Sequence, residues 1–596
     1  MAVSPNLNAD GVLRISVTSN GSALPDTARL VSVQVDRAVN AIPSAKLVIA
    51  DGEIATQTFP LGDGANFVPG AKIQISAGYG ESEQAIFNGV VIKHAMKITG
   101  ENYSRLVIEC RDEAVKMTIG RNNANYVDQK DSDIIATLIG KHGLTATATA
   151  TTIQYKELVQ YYCSDWDFML SRAEVNGQLV IVTDGTVAVA APDTSTAAPL
   201  SVTYGDDLME FHAEIDARAQ YASAQAVSWD PKAQAVVLGT AAKPVTLNTQ
   251  GNLDSATLAK VVGLASLNLQ TAATQTKEAL GKWAEAQQVK SGLARIRGRM
   301  KFQGSALAKV GGLITLVGVG ARYSGDVFVS ALHHELIDGN WITEAEFGMS
   351  PDWFAERTDV VAPPAAGFLP GVEGLQIGVV LKLDGDPEGE QRVQVSTPVM
   401  RPATDGVWAR LAKFYASDGI GSFFIPEIGD EVVLGYLNND PSHPVILGSV
   451  YSSKRKPPYE LEAKNHLKAI VTRCKSKIEF NEEDKIITIT TPGNNKLVFS
   501  DKDKSILMQD QNSNKIELNT SGITLDSPKD IKVTAKGTIT LDAIGTVSIS
   551  SKADVKSAGL NVNCEGQVGF VGKGAATAEL SAAGQTTVKG AMVMIN

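Results

Sequence analysis

Few residues of this chain are spaced for chemistry. Glycan hydrolysis needs two carboxylates flanking one bond, and Glu482-Glu483 is the nearest approach to such a pair; on a repetitive, turn-rich segment these read as turn charges. His333-His334-Glu335 offers the ligand types of a zinc site, but no second ligand follows at a helical offset and the surroundings are strand-like, so the HExxH geometry is missing. Gly572-Lys573 approaches a phosphate-binding loop, yet Gln567 stands where the first glycine belongs and Gly574 where Ser or Thr belongs. Cys110, Cys163, Cys474 and Cys564 form no CxxC pair and read as buried thiols. No GxSxG elbow occurs. The sequence therefore predicts no enzyme, with no catalytic residue, no metal ligand and no cofactor, and a chain that works through its shape.

Composition narrows the partners. The chain has 596 residues, 54 basic and 65 acidic, for a net charge of -11. With a pI near 5.3 and no basic stripe, nucleic acid is not an expected partner. Hydrophobic residues at 44% and charged ones at 20% are ordinary for globular domains, so large cores are expected. The start, Met1-Ala2-Val3-Ser4-Pro5-Asn6, lacks the cationic and apolar regions of an export signal, which predicts synthesis and assembly in the cytoplasm. An apolar stretch at 360–381 is interrupted by Pro363, Pro364 and Pro370 and by four glycines, so it reads as a linker at 361–375 rather than a membrane span.

The elements that would position any surface follow from periodicity. Period-two alternation at 30–37, 45–49, 72–79 and 103–110 predicts half-buried strands of a barrel or sandwich. Helices are expected at 131–142, capped by Ser132, and at 165–176, giving an α/β insertion around 111–200. Residues 254–290 favour one long helix or two shorter ones. Past the linker, five short strands within 376–452 predict a small OB-like barrel, with Trp408, Phe423 and Phe424 in its core. A glycan-binding role would use those three aromatics as a platform instead.

The most regular pattern is C-terminal. Apolar residues recur every eight positions at Ile523, Ile531, Ile539, Val547 and Val555, with a second column at Leu525, Val533, Leu541 and Ile549. Looser copies appear upstream at Ile478/Phe480, Leu497/Phe499, Ile506/Met508 and Ile516/Leu518. Such short periods predict a stacked β-solenoid over 465–585. Eight residues supply one short strand, too little to close a turn around a core, so three intertwined chains are expected, with both columns on the three-fold axis. The end, Thr586, Thr587, Val588, Met592, Val593, Met594, Ile595 and Asn596, stays strand-like and apolar, which suits a seat for a capping partner.

The block from Ser422 to Tyr436, with Pro426, Gly429, Asp430 and Gly435, followed by Asp440-Pro441 and Gly448, resembles the OB domain of VgrG proteins and related contractile-tail spikes. Tyr161, Ser164-Asp165-Trp166-Asp167-Phe168, Ser171-Arg172 and Glu174 resemble the hub motif of the same family. The resemblance implies a mainly β chain with a minor α/β part: a hub of β-barrel domains at 1–360, a helical segment around 254–290, an OB barrel at 376–452, a joint at 453–464, an intertwined triple-stranded β-helix and a tip at 586–596. It implies a homotrimer between inner tube or baseplate proteins and a PAAR-type tip protein, which punctures a target membrane transiently. The segment Gly374 to Val380 and the ending look most like spikes of extracellular contractile injection systems, with type VI secretion close by. A particle assembled in the bacterial cytoplasm, then released or delivered into target cells, is what the resemblance implies for location. A trimeric glycan-binding adhesin is the rival reading.

Overall fold

The computed structural model describes residues 2–6, 11–80, 83–100, 103–398 and 406–595, and the chain falls into two units, Met1–Val450 and Tyr451–Asn596. In the first unit a 13-stranded sheet carries two separate hydrophobic cores. One core is built mostly from residues 17–110, around Leu47, Ile75, Phe67 and Ile108. The other comes from residues 200–347, around Met300, Phe302, Val329 and Phe347. The two regions meet where the strand Gly325–Ile337 pairs antiparallel with Arg29–Ala38, from Ala331 opposite Ala38 to Ile337 opposite Ser32. Strands such as Lys72–Tyr79 bury alternate residues, as their sequence alternation requires.

His333 and His334 lie on this junction and are structural. His333 Nδ1 is 2.6 Å from Asp36 Oδ1 across the strand pair, and this contact raises its pKa. His334 is buried; its Nδ1 sits 2.9 Å from Thr343 Oγ1 and accepts from Trp341 Nε1 at 3.3 Å. Burial lowers its pKa to about 3, so it is neutral at any physiological pH.

The α/β part packs α1 (Asp131–Lys141) and α2 (Asp165–Val175) on the three-stranded sheet of Thr145–Ala148, Leu179–Thr183 and Thr186–Ala190. Ser132 does not cap α1. The cap position is Lys130, and the Ser132 N–H instead donates to Thr151 Oγ1 at 3.1 Å. The first turn is set by Asp131, whose buried carboxylate accepts from Arg172 Nε at 2.7 Å, Arg172 Nη2 at 3.0 Å and Asn176 Nδ2 at 2.8 Å. The 254–290 region forms two helices, α3 (Ser255–Val262) and α4 (Lys277–Ala294). Gly263, at φ 71°, ends α3 in the left-handed conformation, and the strand Leu267–Gln270 intervenes. Lys290 of α4 pairs with Glu174 of α2, whose other oxygen accepts the Phe354 N–H at 2.7 Å, so both helices are tied to residues leading into the linker.

Residues 376–450 close a five-stranded barrel in the order Gln376–Lys382, Val393–Ser396, Val407–Leu411, Pro444–Val450, Glu431–Tyr436, around Val380, Val395, Val432, Leu434 and Ile446. Phe423 and Phe424 are not in that core. They are exposed, because residues 412–424 leave the wall as an arm whose short strands Ala416–Ser417 and Ile420–Gly421 pair only with each other. Trp408 is half-buried. The thiols also divide: Cys110 is buried, with burial pushing its pKa up to about 12, and Cys163 is half-buried, while Cys474 and Cys564 are exposed.

The Asp131–Arg172 pair gives the first prediction. Removing one partner leaves a buried charge uncompensated, so Arg172→Ala should lower unfolding stability by about 3–5 kcal/mol in a denaturant titration. The double variant with Asp131→Ala should cost less than the sum of the two single changes; additive losses would show that the pair is not coupled.

Candidate functional site: an uncovered apolar face

After Ile446, no apolar side chain among the described residues is buried. Yet the second unit contains a regular seven-stranded antiparallel meander: Leu467–Val471, Lys477–Asn481, Ile486–Thr490, Lys496–Ser500, Ser505–Gln509, Lys515–Asn519 and Gly522–Asp526. Its register aligns two apolar ladders on one face. The first runs Ile470, Ile478, Ile489, Leu497, Met508, Ile516, Leu525; the second runs Phe480, Ile487, Phe499, Ile506, Leu518, Ile523. The opposite face is largely polar and holds ion pairs such as Lys477–Glu479 at 2.9 Å and Lys515–Glu517 at 3.2 Å. The apolar face is the more open one: Ile478 is 37% exposed and Ile523 77%.

The upstream pairs expected as loose octads are therefore hairpins of a meander. Strand starts there are nine or ten residues apart, and Lys475, Lys485, Asn494, Lys504 and Ser513 each place a left-handed residue in a hairpin turn. Beyond Gly522 no described residue has positive φ, and the chain passes into extended segments with bends at 528–529, 536–537, 544–545 and 552–553. There the expected columns Ile531, Ile539, Val547, Val555 and Val533, Leu541, Ile549 occupy equivalent places after each bend, while Ile523 and Leu525 lie in the last strand of the meander, all exposed. Ile523 and Leu525, the first pair of the expected columns, are also the last rungs of the two ladders. Burying the thirteen ladder side chains more fully is worth roughly 1 kcal/mol each, on the order of 10 kcal/mol per chain, comparable to the net stability of a domain. The expected tip residues Thr586, Thr587, Val588, Met592, Val593, Met594 and Ile595 are exposed, and Asn596 lies outside the described residues.

The OB motif residues shape turns and strand contacts rather than a binding pocket. Gly429, at φ 84°, donates its N–H to Val380 O at 2.8 Å, and Asp430 Oδ2 accepts from the Glu427 N–H at 2.9 Å just after Pro426. Asp440 accepts from the Ser442 N–H at 2.8 Å in the turn containing Pro441. Gly435 and Gly448 lie in the strand pair Glu431–Tyr436 with Pro444–Val450. Of the hub motif residues, Ser164 and Asp165 are buried in a polar knot. Ser164 Oγ caps α2 by accepting the Asp167 N–H at 3.0 Å, and Asp165 accepts from Asn122, Gln160 and Lys141, each at 2.9 Å, with His142 Nε2 at the same distance. Among the described residues no cluster of His, Cys, Asp or Glu is arranged to hold a metal, and no helix is long and apolar enough to cross a membrane.

The family model described as the Alg8 N-terminal domain matches residues 9–338, more than half of the chain. An injector OB domain of type VI secretion systems and phage baseplates matches 376–451, and a phage baseplate V C-terminal trimerisation domain matches 486–596. The chain belongs to the Alg8 N-terminal domain family, and parts of it are similar to VgrG spike proteins. Its relatives include the type VI secretion system spike protein VgrG2a of Pseudomonas aeruginosa, 34% identical over 131 residues, covering 20% of this chain and 15% of the relative. Another is the Vibrio cholerae protein named actin cross-linking toxin VgrG1, 32% identical over 124 residues, covering 19% and 11%. The chain thus matches less than a fifth of either relative's length. Among solved structures, a Francisella PdpA–VgrG complex has a TM-score of 0.37 at 9% identity, covering 86% of this chain and 88% of that one. An E. coli component of the type VI secretion system has a TM-score of 0.37 at 11% identity, covering 73% and 99%.

In this knot, burial pushes the Asp165 carboxyl up, but donation from Gln160, Lys141, His142 and Asn122 outweighs this and holds it at about 2. A depressed folded-state pKa gives stability that is complete above the unfolded value of about 3.9 and is lost as pH falls through the folded one. Asp165→Asn should lower the melting temperature at pH 7 and flatten its fall between about pH 4 and pH 2. Equal acid slopes in both proteins would show that the knot is not the titrating group.

Proposed function

We propose that three copies of this chain form the central spike of a phage-tail-like contractile injection system. The hub joins inner tube or baseplate proteins, a PAAR-type protein caps the tip at Thr586 to Asn596, and sheath contraction drives the assembly through a target envelope. The protein's work is mechanical. The observation that carries this reading is the apolar face of the seven-stranded meander, which nothing among the described residues of that unit covers and which overlaps the span matched by the trimerisation domain. Three copies of one face meeting on an axis bury it by symmetry, and a shaft of interlocked strands resists shear because many hydrogen bonds must break together. The matched OB and trimerisation domains support a baseplate setting. A type VI machine carrying effectors at its tip uses the same geometry.

Light scattering on the purified full chain should give three times 63.0 kDa, about 189 kDa. Ile516→Asp with Leu518→Asp, which puts carboxylates on both ladders, should return it to 63.0 kDa. A folded 63.0 kDa wild-type chain would overturn the reading.

A further inference from the structure

The apolar columns read from sequence stop at Val555, where a strict eight-residue count ceases to be apolar. Counting on by eight gives Asn563, Val571, Glu579 and Thr587 in one column and Glu565, Lys573, Ser581 and Lys589 in the other. That would bring three copies each of Glu579, Glu565, Lys573 and Lys589 onto the axis of a trimer, and unpaired buried charges are prohibitively costly. The bends show a different count. They continue at 559–560, 567–568, 575–576, 583–584 and 591–592, every eight residues except for one interval of seven, from 552 to 559. From 528 onward, the third and fifth residues after the start of each bend are the column positions, as Ile531 and Val533 are after 528. In an extended segment those two positions share a side.

We infer that this one-residue deletion re-registers the shaft, so that Val562, Cys564, Phe570, Ala578, Leu580, Val588 and Met594 continue its inter-chain core, with two further copies of this chain as the partners that cover them. The inference rests on the trimer reading and extends it by some forty residues. Every column position in the new frame up to Met594 is apolar or small except Thr586, whereas Asn563, Glu565, Lys573, Glu579 and Lys589 move to the outside. Side chains fully open in the single chain, such as Phe570 at 74% exposure, then continue the face that begins at Ile470. The frame also divides the expected tip seat. Thr586, Val588 and Met594 face the axis, while Thr587, Val593 and Ile595 remain outside for a capping partner.

The cysteines test this directly. Cys474 and Cys564 are both exposed in the single chain, but Cys474 sits in a hairpin turn and Cys564 in a core column. Maleimide labelling of the native full-length protein, read by peptide mass, should modify Cys564 at least about tenfold more slowly than Cys474, with both labelled after denaturation. In a Cys564→Ser background, Asn563→Cys should label as fast as Cys474. Equal labelling of Cys474 and Cys564 in a particle of trimer mass would overturn the register and leave the trimer standing, as would protection of Asn563→Cys. A monomer mass would overturn the trimer reading and the register with it.

Discussion

One constraint governs this molecule: the second unit makes well-formed strands whose apolar face it does not cover. A three-strand sheet with one hydrophobic face already needs something packed against that face. Here seven strands present it, from Ile470 to Leu525, and the octad residues after them are exposed as well. Hairpin turns hold the meander in register by local hydrogen bonds, so the ladders are aligned before any partner arrives. Once the turns give way to simple bends after Gly522, local pairing ends. The backbone N–H and C=O groups beyond that point then need partners from other chains as much as the side chains do.

The first unit solves its own packing and shows the contrast. Its two β cores and its α/β core are closed by Leu, Ile, Val and Phe drawn from distant parts of the chain. Its buried charges are matched: Asp131 by Arg172, Asp165 by four donors, Glu174 by Lys290 and the Phe354 backbone. The first unit encloses hydrophobic cores of its own, whereas after Ile446 no apolar side chain among the described residues is buried.

Much of this was legible from residue order. The five barrel strands, α1, α2 and the octad columns to Val555 follow directly from periods of 2, 3.6 and 8 residues. The meander was not, because an Ile-x-Phe or Leu-x-Phe triplet looks the same in a hairpin as in an octad. The discriminating signals were the nine- or ten-residue spacing and left-handed turn residues such as Asn494, which only the backbone makes plain. Ser132 was misread as a cap because a neighbouring acid, Asp131, serves a distant arginine, a long-range pairing that no local pattern encodes. Phe423 and Phe424 looked like core by type, but they sit on an arm that leaves the barrel. The register change near 559 is invisible to a fixed repeat count and appears only when bends are counted.

The most direct test of the shared core is hydrogen exchange on the intact native protein, followed by peptide mass. Residues 530–590 have no strand partner within their own chain. If three chains supply those partners, their amides should resist exchange for hours, as slowly as those of the barrel core at Val432 and Leu434. Complete exchange of that segment within seconds, while the barrel stays protected, would contradict the account.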